Sequence, residues 1–216
     1  MNYTELEEKL GKQNESDWHQ ASGGGWIHKN ARVDNEDNIR GNAIVMDNAR
    51  VSGNAIVSGC ARVSDNAYIY GNARVSGNAS VHDNARVYGN ARVSSGNVLV
   101  FGNAIVFGDA IVHDNARVYG NAHICGNAKV YGDAIVYDNA KVYGNARVSG
   151  DASVYGNALV FGDAWVSGCA RVSDNAHIYG NARVYGDAWV YGNAWVYGNA
   201  RVSGDASVYD NARVSE

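Results

Sequence analysis

The sequence predicts an all-β protein, a single-stranded triangular parallel β-solenoid with 18 residues per coil, preceded by a short helical segment. Three observations carry this. A hexad of the form Val-x-Gly-Asn-Ala-x, as in Val75-Ser76-Gly77-Asn78-Ala79-Ser80, runs almost unbroken from Trp26 to Glu216. Its aliphatic position recurs in steps of six from Ile27 to Val93, and again from Val100 to Val214 after one extra residue near Ser94-Ser95-Gly96. A fixed short period of this kind denotes one stacked architecture. Second, Asp replaces the Gly of the hexad at Asp47, Asp65 and Asp83, 18 residues apart, then at Asp138, Asp174 and Asp210, 36 apart. Once the extra residue is counted, all six fall on one corner of an 18-residue coil, while Asp114 falls on another. Third, the segment Ser58–Ala67 returns unchanged at Ser167–Ala176, an offset of 109, which is six coils plus one residue.

The elements follow in order. Residues 1–25 form an N-terminal segment outside the repeat. Thr4-Glu5-Leu6-Glu7 reads as a capping box opening a short helix through Leu10. Gln13 to Gly25 is polar and Gly-rich, either a loose terminus or a cap over the first coil. Residues 26–216 form the solenoid. Residues two apart in extended chain share a face, so Ala-x-Val is a short strand with Ala and Val inward and x outward. The residue after Val also points outward. Gly-Asn or Asp-Asn makes the corner, because these residues tolerate positive φ and cap their own turns. The chain contains no Pro, as expected where every backbone donor enters a ladder between coils. At ~4.8 Å per stacked strand, ten to eleven coils make a rod about 50 Å long. The final coil ends in mid-pattern, and an uncovered strand edge there predicts end-to-end association.

The Val-x-Gly-Asn-Ala-x unit resembles the hexapeptide repeat of left-handed parallel β-helix proteins, over about nine-tenths of the chain. Left-handedness is implied by that resemblance; general crossover rules favour the right hand. The Gly-Asn-Ala-Arg-Val-Tyr version is similar to uncharacterised bacterial and phage hexapeptide-repeat proteins, often labelled transferases. The resemblance implies acyl transfer from coenzyme A at a trimer cleft as one activity, and inhibition of a host factor by a phage protein as another. The same coil also serves metalloenzymes and inert spacers, so fold alone does not choose.

A formal charge of −4 argues against a dedicated nucleic-acid binder, although Arg32, Arg50, Arg74, Arg86 and Arg92 stand out in the N-terminal half. The acidic corner of Asp47, Asp65 and Asp83 opposes that use. The first 25 residues hold no apolar run, so neither a signal peptide nor a membrane span is expected. Cys60 and Cys169 occupy equivalent corners six coils apart, roughly 29 Å at the strand spacing, beyond disulfide reach. Unpaired thiols, with Cys125 the third, suit a reducing cytoplasm.

Sorting the outward residues by face leads to function. The first face carries Leu99, Phe101, Tyr119, Ile135, Tyr137, Tyr155, Trp189, Tyr191 and Tyr209; the second carries Ile105, Phe107, Tyr143, Leu159, Phe161, Tyr179, Trp195 and Tyr197. The third is mostly Arg, Lys, Ser and Tyr, interrupted by Trp165. Contiguous exposed apolar surface marks an interface. The reading is therefore a rigid scaffold or binding rod, a homo-oligomer or the captor of a protein partner. Its interface residues are Phe101, Tyr137, Tyr143, Phe161, Tyr179, Trp189, Tyr191, Trp195 and Tyr197.

Catalysis has thinner support. His82 and His113 each sit in Val-His-Asp-Asn-Ala-Arg-Val beside a corner Asp, and an Asp can hold a His in one tautomer as a base requires. No long loop leaves the repeat to wall a cleft. Carbonic anhydrase-like relatives need two His five residues apart, and no pair has that spacing. His28 and His82, like His123 and His177, are 54 residues apart, three coils or ~14 Å, too far to share a zinc ion. No metal site and no cofactor site is expected.

Overall fold

Each Ala-x-Val triplet closes into a strand of two or three residues, and three strands make one coil: Ile44–Val45, Arg50–Val51 and Ile56–Val57, for example. The computed structural model describes residues 1–216, and its strands stack into a three-faced parallel β-solenoid of about eleven turns. The first face has 12 strands, the second 11 and the third 9. Partners are 18 residues apart, as in Ile44↔Arg62, Arg50↔Tyr68 and Ile56↔Arg74. The offset becomes 19 at Ser80↔Leu99, Arg86↔Ile105 and Arg92↔Ile111, then returns to 18 at Leu99↔Arg117. The extra residue is therefore absorbed in one corner, between Ser94 and Val98, without displacing any strand from its face.

The period of two along each strand turns Val and Ala to the axis, where 57 buried residues form one continuous cluster. Nearly all are fully inaccessible to solvent. Full burial of a Val side chain stabilises by about 1.5–3 kcal/mol, and each coil meets only its two neighbours, so stability accumulates coil by coil.

The corners carry the left-handed backbone. Asp47, Asp65, Asp138, Asp174 and Asp210 all lie at φ 57 and Asp83 at φ 59, stacked as the sequence requires; Asp114 takes φ 63 on its own corner. Gly120 shows why glycine alternates with Asp: a Cβ there would lie 2.8 Å from the Asp138 nitrogen in the next coil. The corner Asn residues make side-chain ladders. On the acidic corner one ladder runs without interruption from Asn48 through Asn121 to Asn211, each Nδ2 donating to the next Oδ1 at 3.0–3.4 Å. On the other corners an Asp ends a run, as where Asn90 donates to Asp109 and Asn145 to Asp163. A carboxylate accepts but has no hydrogen to pass on.

The N-terminal segment is ordered against this rod. Helix α1 spans Tyr3–Leu10, and its capping box is Asn2 with Glu5, not Thr4 with Glu7. Asn2 Oδ1 accepts from the Glu5 amide at 2.9 Å and the Asn2 amide donates to Glu5 Oε2 at 2.8 Å, so the helix begins two residues earlier than Thr4 would have it. Leu6 is buried with Trp18, Trp26 and Ile44, which lays α1 along the outside of the first face rather than across the axis. The axial end is met instead by the chain after it. Strand β1 (Trp18–Gln20) pairs antiparallel with β2 (Trp26–His28) at the sheet edge. Ala21 joins the axial core, and Gly23 lies so close that a Cβ would be 2.5 Å from the Ile39 carbonyl oxygen. No helix is long and apolar enough to cross a membrane.

Candidate functional site

The lateral faces display the side chains with chemistry. The residue after each Val stands at the end of its strand, where side chains of successive coils meet at the rung spacing. On the first face His82, Phe101, Tyr119, Tyr137 and Tyr155 form one column with ring centroids 4.8–5.0 Å apart and planes within 11° of parallel. Ser173, itself buried, breaks the column, and Tyr191 and Tyr209 resume it at 5.3 Å. On the second face Tyr70, Tyr88 and Phe107 stack at 4.6 and 5.1 Å. After Cys125 follow Tyr143, Phe161, Tyr179 and Tyr197, at 4.9, 4.9 and 5.2 Å. Trp189 tilts onto Tyr191 at 4.7 Å, and Trp195 sets its edge toward His177 and Tyr179.

Thus Phe101, Tyr137 and Tyr191 share one column; Tyr143, Phe161, Tyr179 and Tyr197 share another; Trp189 and Trp195 lie beside them. Stacking covers much of each ring. Of these nine residues only Trp189, at 40% accessibility, counts as exposed; the rest are half-buried. The rungs bring ring onto ring, which is the partial self-cover that aromatics stacked on a β-ladder gain. Desolvation in the columns raises the phenols of Tyr70, Tyr119, Tyr137 and Tyr143 above the usual range.

The two histidine candidates lie apart, one per face. His82 Nδ1 is 3.3 Å from Asp83 Oδ2 and its ring stacks on Phe101. His113 Nδ1 is 3.1 Å from Asp114 Oδ2 and its ring stacks on Tyr131. The His113 hydrogen bond, with a further bond from the Gly132 amide, holds the Asp114 carboxyl below the usual carboxylate range. Each pair orients an imidazole as a base would be oriented, but on an open face. Asp65 joins His82 and Asp83, with ligand-capable atoms within 4.8 Å of one another, so these three could hold a metal ion. Both carboxylates already accept backbone amides, Asp65 from Asp83 and Asp83 from Gly102. This grouping was legible in the corner alignment, since residues 65 and 83 are one coil apart.

Desolvation, with Lys141 adding to it, pulls the His123 imidazole below its ordinary pKa, and desolvation does the same to His177. Cys125 fills the gap between Phe107 and Tyr143, and burial pushes its thiol up. Cys60 and Cys169 are exposed on the corner that also carries Asp114. Desolvation first, then the Asp187 and Asp151 carboxylates, raise the Cys169 thiol. Surface hollows are shallow and concentrate on the third face. Trp165, Ser167, Arg183, Tyr185 and Arg201 line one of about 240 Å³, and Arg74 and Arg92 with corner Asn residues line another of about 610 Å³.

With the repeat and its surfaces in place, comparison with known proteins gives the family. A model described as the YdcK beta solenoid repeat matches residues 45–59, 67–83, 85–99, 100–114, 140–154, 152–168, 176–192 and 194–209, more than half of the chain. The chain belongs to the YdcK β-solenoid repeat family. Among solved structures this YdcK-type solenoid is similar to the Arabidopsis UDP-N-acetylglucosamine acyltransferase, at 14% identity and a TM-score of 0.45, covering 81% of this chain and 64% of that one. It thus spans slightly less than two thirds of that enzyme. The Francisella novicida UDP-N-acetylglucosamine acyltransferase is similar at 16% identity and TM-score 0.41, covering 84% and 68%. LpxA from Acinetobacter baumannii gives 13%, 0.36, 81% and 72%. A comparison with curated proteins returns no match.

Proposed function

We propose that this YdcK-type solenoid is a rigid rod that works by lateral association, with a second copy or with a protein partner, through the aromatic columns of its first and second faces. The observation that carries the reading is the column Tyr143–Phe161–Tyr179–Tyr197 with Trp195 beside it. Its rings repeat at the rung spacing, are half-buried, and lie on a backbone fixed by ladders on every side. A second copy carries the same spacing, so two rods can meet rung for rung over several coils without either reshaping. Such an interface is preorganised, which lowers the entropic cost of association.

The test is absolute mass by size exclusion with light scattering, together with recovery of bound partner, for the wild type and the double variant Phe161→Ser, Trp195→Ser. A lower assembly mass or lost partner recovery supports the reading. Unchanged mass with unchanged recovery refutes it.

A second reading is acyl transfer with coenzyme A at a cleft between copies in a trimer. It is favoured by His113, whose imidazole is held by Asp114 at 3.1 Å in the manner of a general base. It requires a trimer in solution, coenzyme A binding, and loss of activity in His113→Asn. A monomer or dimer that ignores coenzyme A removes it.

A further inference from the structure

The third face differs from the other two in pattern. Its outward mid-strand positions follow a three-coil period. Apolar Ile56, Ile111 and Trp165 stand three rungs apart, separated by the cation pairs Arg74–Arg92 and Lys129–Arg147 and followed by Arg183–Arg201, the members of each pair being direct strand neighbours. The repeat distance is about 14 Å. All six cations are exposed, and none of them makes an ion pair; the one pair on this face is His113 with Asp114. Six like charges run along the mid-strand line of one face without an ion pair among them, while the carboxylates, Asp109 and Asp163 among them, stand at the bordering corners; the line itself is an electrostatic footprint for an anionic partner.

The shape of the face agrees with the charge. Beside the mid-strand column the first two faces are filled by stacked rings. The third has Ser58, Ser76, Ser94, Ser149, Ser167 and Ser203 at most of those positions, which leaves hollows along it. Trp165 is fixed at their centre. Its indole Nε1 donates to Ser149 Oγ at 3.1 Å, and the Arg183 guanidinium lies 5.9 Å from its ring. Corner Asn residues border the hollows. Within a ladder each keeps one amide hydrogen and one carbonyl lone pair uncommitted.

We propose that the third face is a binding track for an extended acidic polysaccharide lying along the rod axis. Arginine pairs take carboxylates in charge-assisted, bidentate hydrogen bonds. The flat indole of Trp165 takes the C–H face of a sugar ring, and the Asn amides take its hydroxyls. Alternation of cation pairs with apolar rungs matches a polymer whose charges are interrupted by uncharged, flat-faced units. A nucleic-acid strand presents a phosphate at every residue. It would set some of them against Ile111 and Trp165, and others near the Asp109 and Asp163 carboxylates that line the same hollows. The chain's net charge of −4 also disfavours so dense an anion.

The test is calorimetric titration of the full chain at low salt with hyaluronan oligosaccharides of increasing length, in which carboxylate-bearing sugars alternate with uncharged ones, with neutral dextran and a single-stranded oligonucleotide alongside. Affinity is expected to rise in steps as the oligomer becomes long enough to reach the next cation pair. It should fall at least tenfold in Arg183→Ala, Arg201→Ala and also in Trp165→Ser. Both substituted arginines are exposed, so folding is preserved, and circular dichroism verifies it. Arg62→Ser, Arg117→Ser, Arg171→Ser, which removes the isolated cations of the first face, should leave affinity unchanged. Absence of binding at millimolar oligomer overturns the proposal, as does equal binding of dextran or wild-type affinity in the third-face variants. Tighter binding of the oligonucleotide, lost in those same variants, also overturns it and assigns the track to nucleic acid.

Discussion

Deleting Ser95 should stabilise the protein. Ser95 is exposed, occupies the left-handed region at φ 62, and is followed by Gly96 in the same region at φ 58. From Gly41 to Asp210 every other corner has one such residue; this one has two. No backbone or side-chain hydrogen bond uses Ser95, whereas the Gly96 carbonyl accepts from the Asn78 amide at 3.2 Å. With Ser95 removed, Val93-Ser94-Gly96-Asn97-Val98 is a regular hexad corner, and Gly96 can meet both Gly77 above and Asp114 below. A non-glycine residue in the left-handed region costs about 1–2 kcal/mol, and fixing the backbone of one residue costs roughly 1–2 kcal/mol. Taking the low end of each, the deletion contributes about 2 kcal/mol, or roughly 30-fold in an opening equilibrium. Because a solenoid opens locally, the assay is hydrogen exchange read by mass spectrometry over residues 75–118, with urea denaturation as a global check. Protection should rise in the coils either side of the corner and stay level near Val184. Unchanged or reduced protection at Val81 and Val100 would show that the bulge relieves strain accumulated by stacking, and the reasoning would fail.

The Asn ladder gives a graded series: Asn121 accepts from Asn103 and donates to Asn139, so Asn121→Ala should cost about 1–2 kcal/mol, two exposed hydrogen bonds at the usual net value. Asn121→Asp should cost about half as much, since it still accepts, and urea midpoints that fail to order as Asn, Asp, Ala would contradict the ladder's role. Acid sensitivity should trace partly to His123 and His177. Their folded pKa values lie below the ordinary imidazole value, so the unfolded chain binds more protons between the two. Their contribution is therefore full above about pH 6.5 and declines as pH falls from there through the lowered folded value. The double variant His123→Leu, His177→Leu should flatten urea stability between pH 7 and 5, and an unaltered pH profile would refute the assignment. Asp114 contributes in the same direction at lower pH, because its folded pKa is depressed: its share is present above the ordinary carboxylate range and lost as pH falls through the folded value.

The solenoid was legible because one hexad carries strand, core and corner together. Ile69 and Ala73, or Val136 and Ala140, are interchangeable in what they require, and the offset between identical segments counted the coils. The six aspartates of one corner were aligned from residue numbers alone and stack as that alignment demanded. The N-terminal segment was hard to read for the opposite reason. Leu6, Trp18, Trp26 and Ile44 meet through a contact that no period announces, and Asn2 caps the helix as readily as Thr4 could. The aromatic columns followed from the face assignment, and stacking on a ladder implied some mutual cover; how much cover a 4.9 Å spacing gives each ring depends on coordinates and not on residue order. The cations of the third face beyond the extra residue were sorted to that face from the sequence, but Arg74 and Arg92 were grouped only by their half of the chain, so the three-coil period was missed. Sorted by rung, Arg74, Lys129 and Arg183 fall in one phase of a three-coil period.

That longer period makes a sharper division between a rod and an enzyme. If function resides in surfaces repeated along the axis, removing one whole three-coil unit should shorten the activity without abolishing it. Deletion of residues 111–164 joins Ala110 to Trp165, a residue 54 positions after Ile111 and of the same phase, so Trp165 would stack where Ile111 now pairs with Arg92. The Val and Ala columns remain continuous, and the surviving coils keep like neighbours, so the shortened chain should fold with stability reduced roughly in proportion to the coils lost. The deletion removes His113, Asp114, Tyr143 and Phe161 but keeps Tyr179, Tyr197, Trp165 and the Arg183–Arg201 pair. A rod would retain weaker association, with mass or affinity lowered by the lost contacts. An enzyme dependent on His113 would lose all turnover while remaining folded. Circular dichroism, light scattering and coenzyme A titration on this one variant therefore separate the two. A folded variant with wild-type assembly and no trace of weakening would place the interface outside residues 111–164 and remove the middle coils from the association argument.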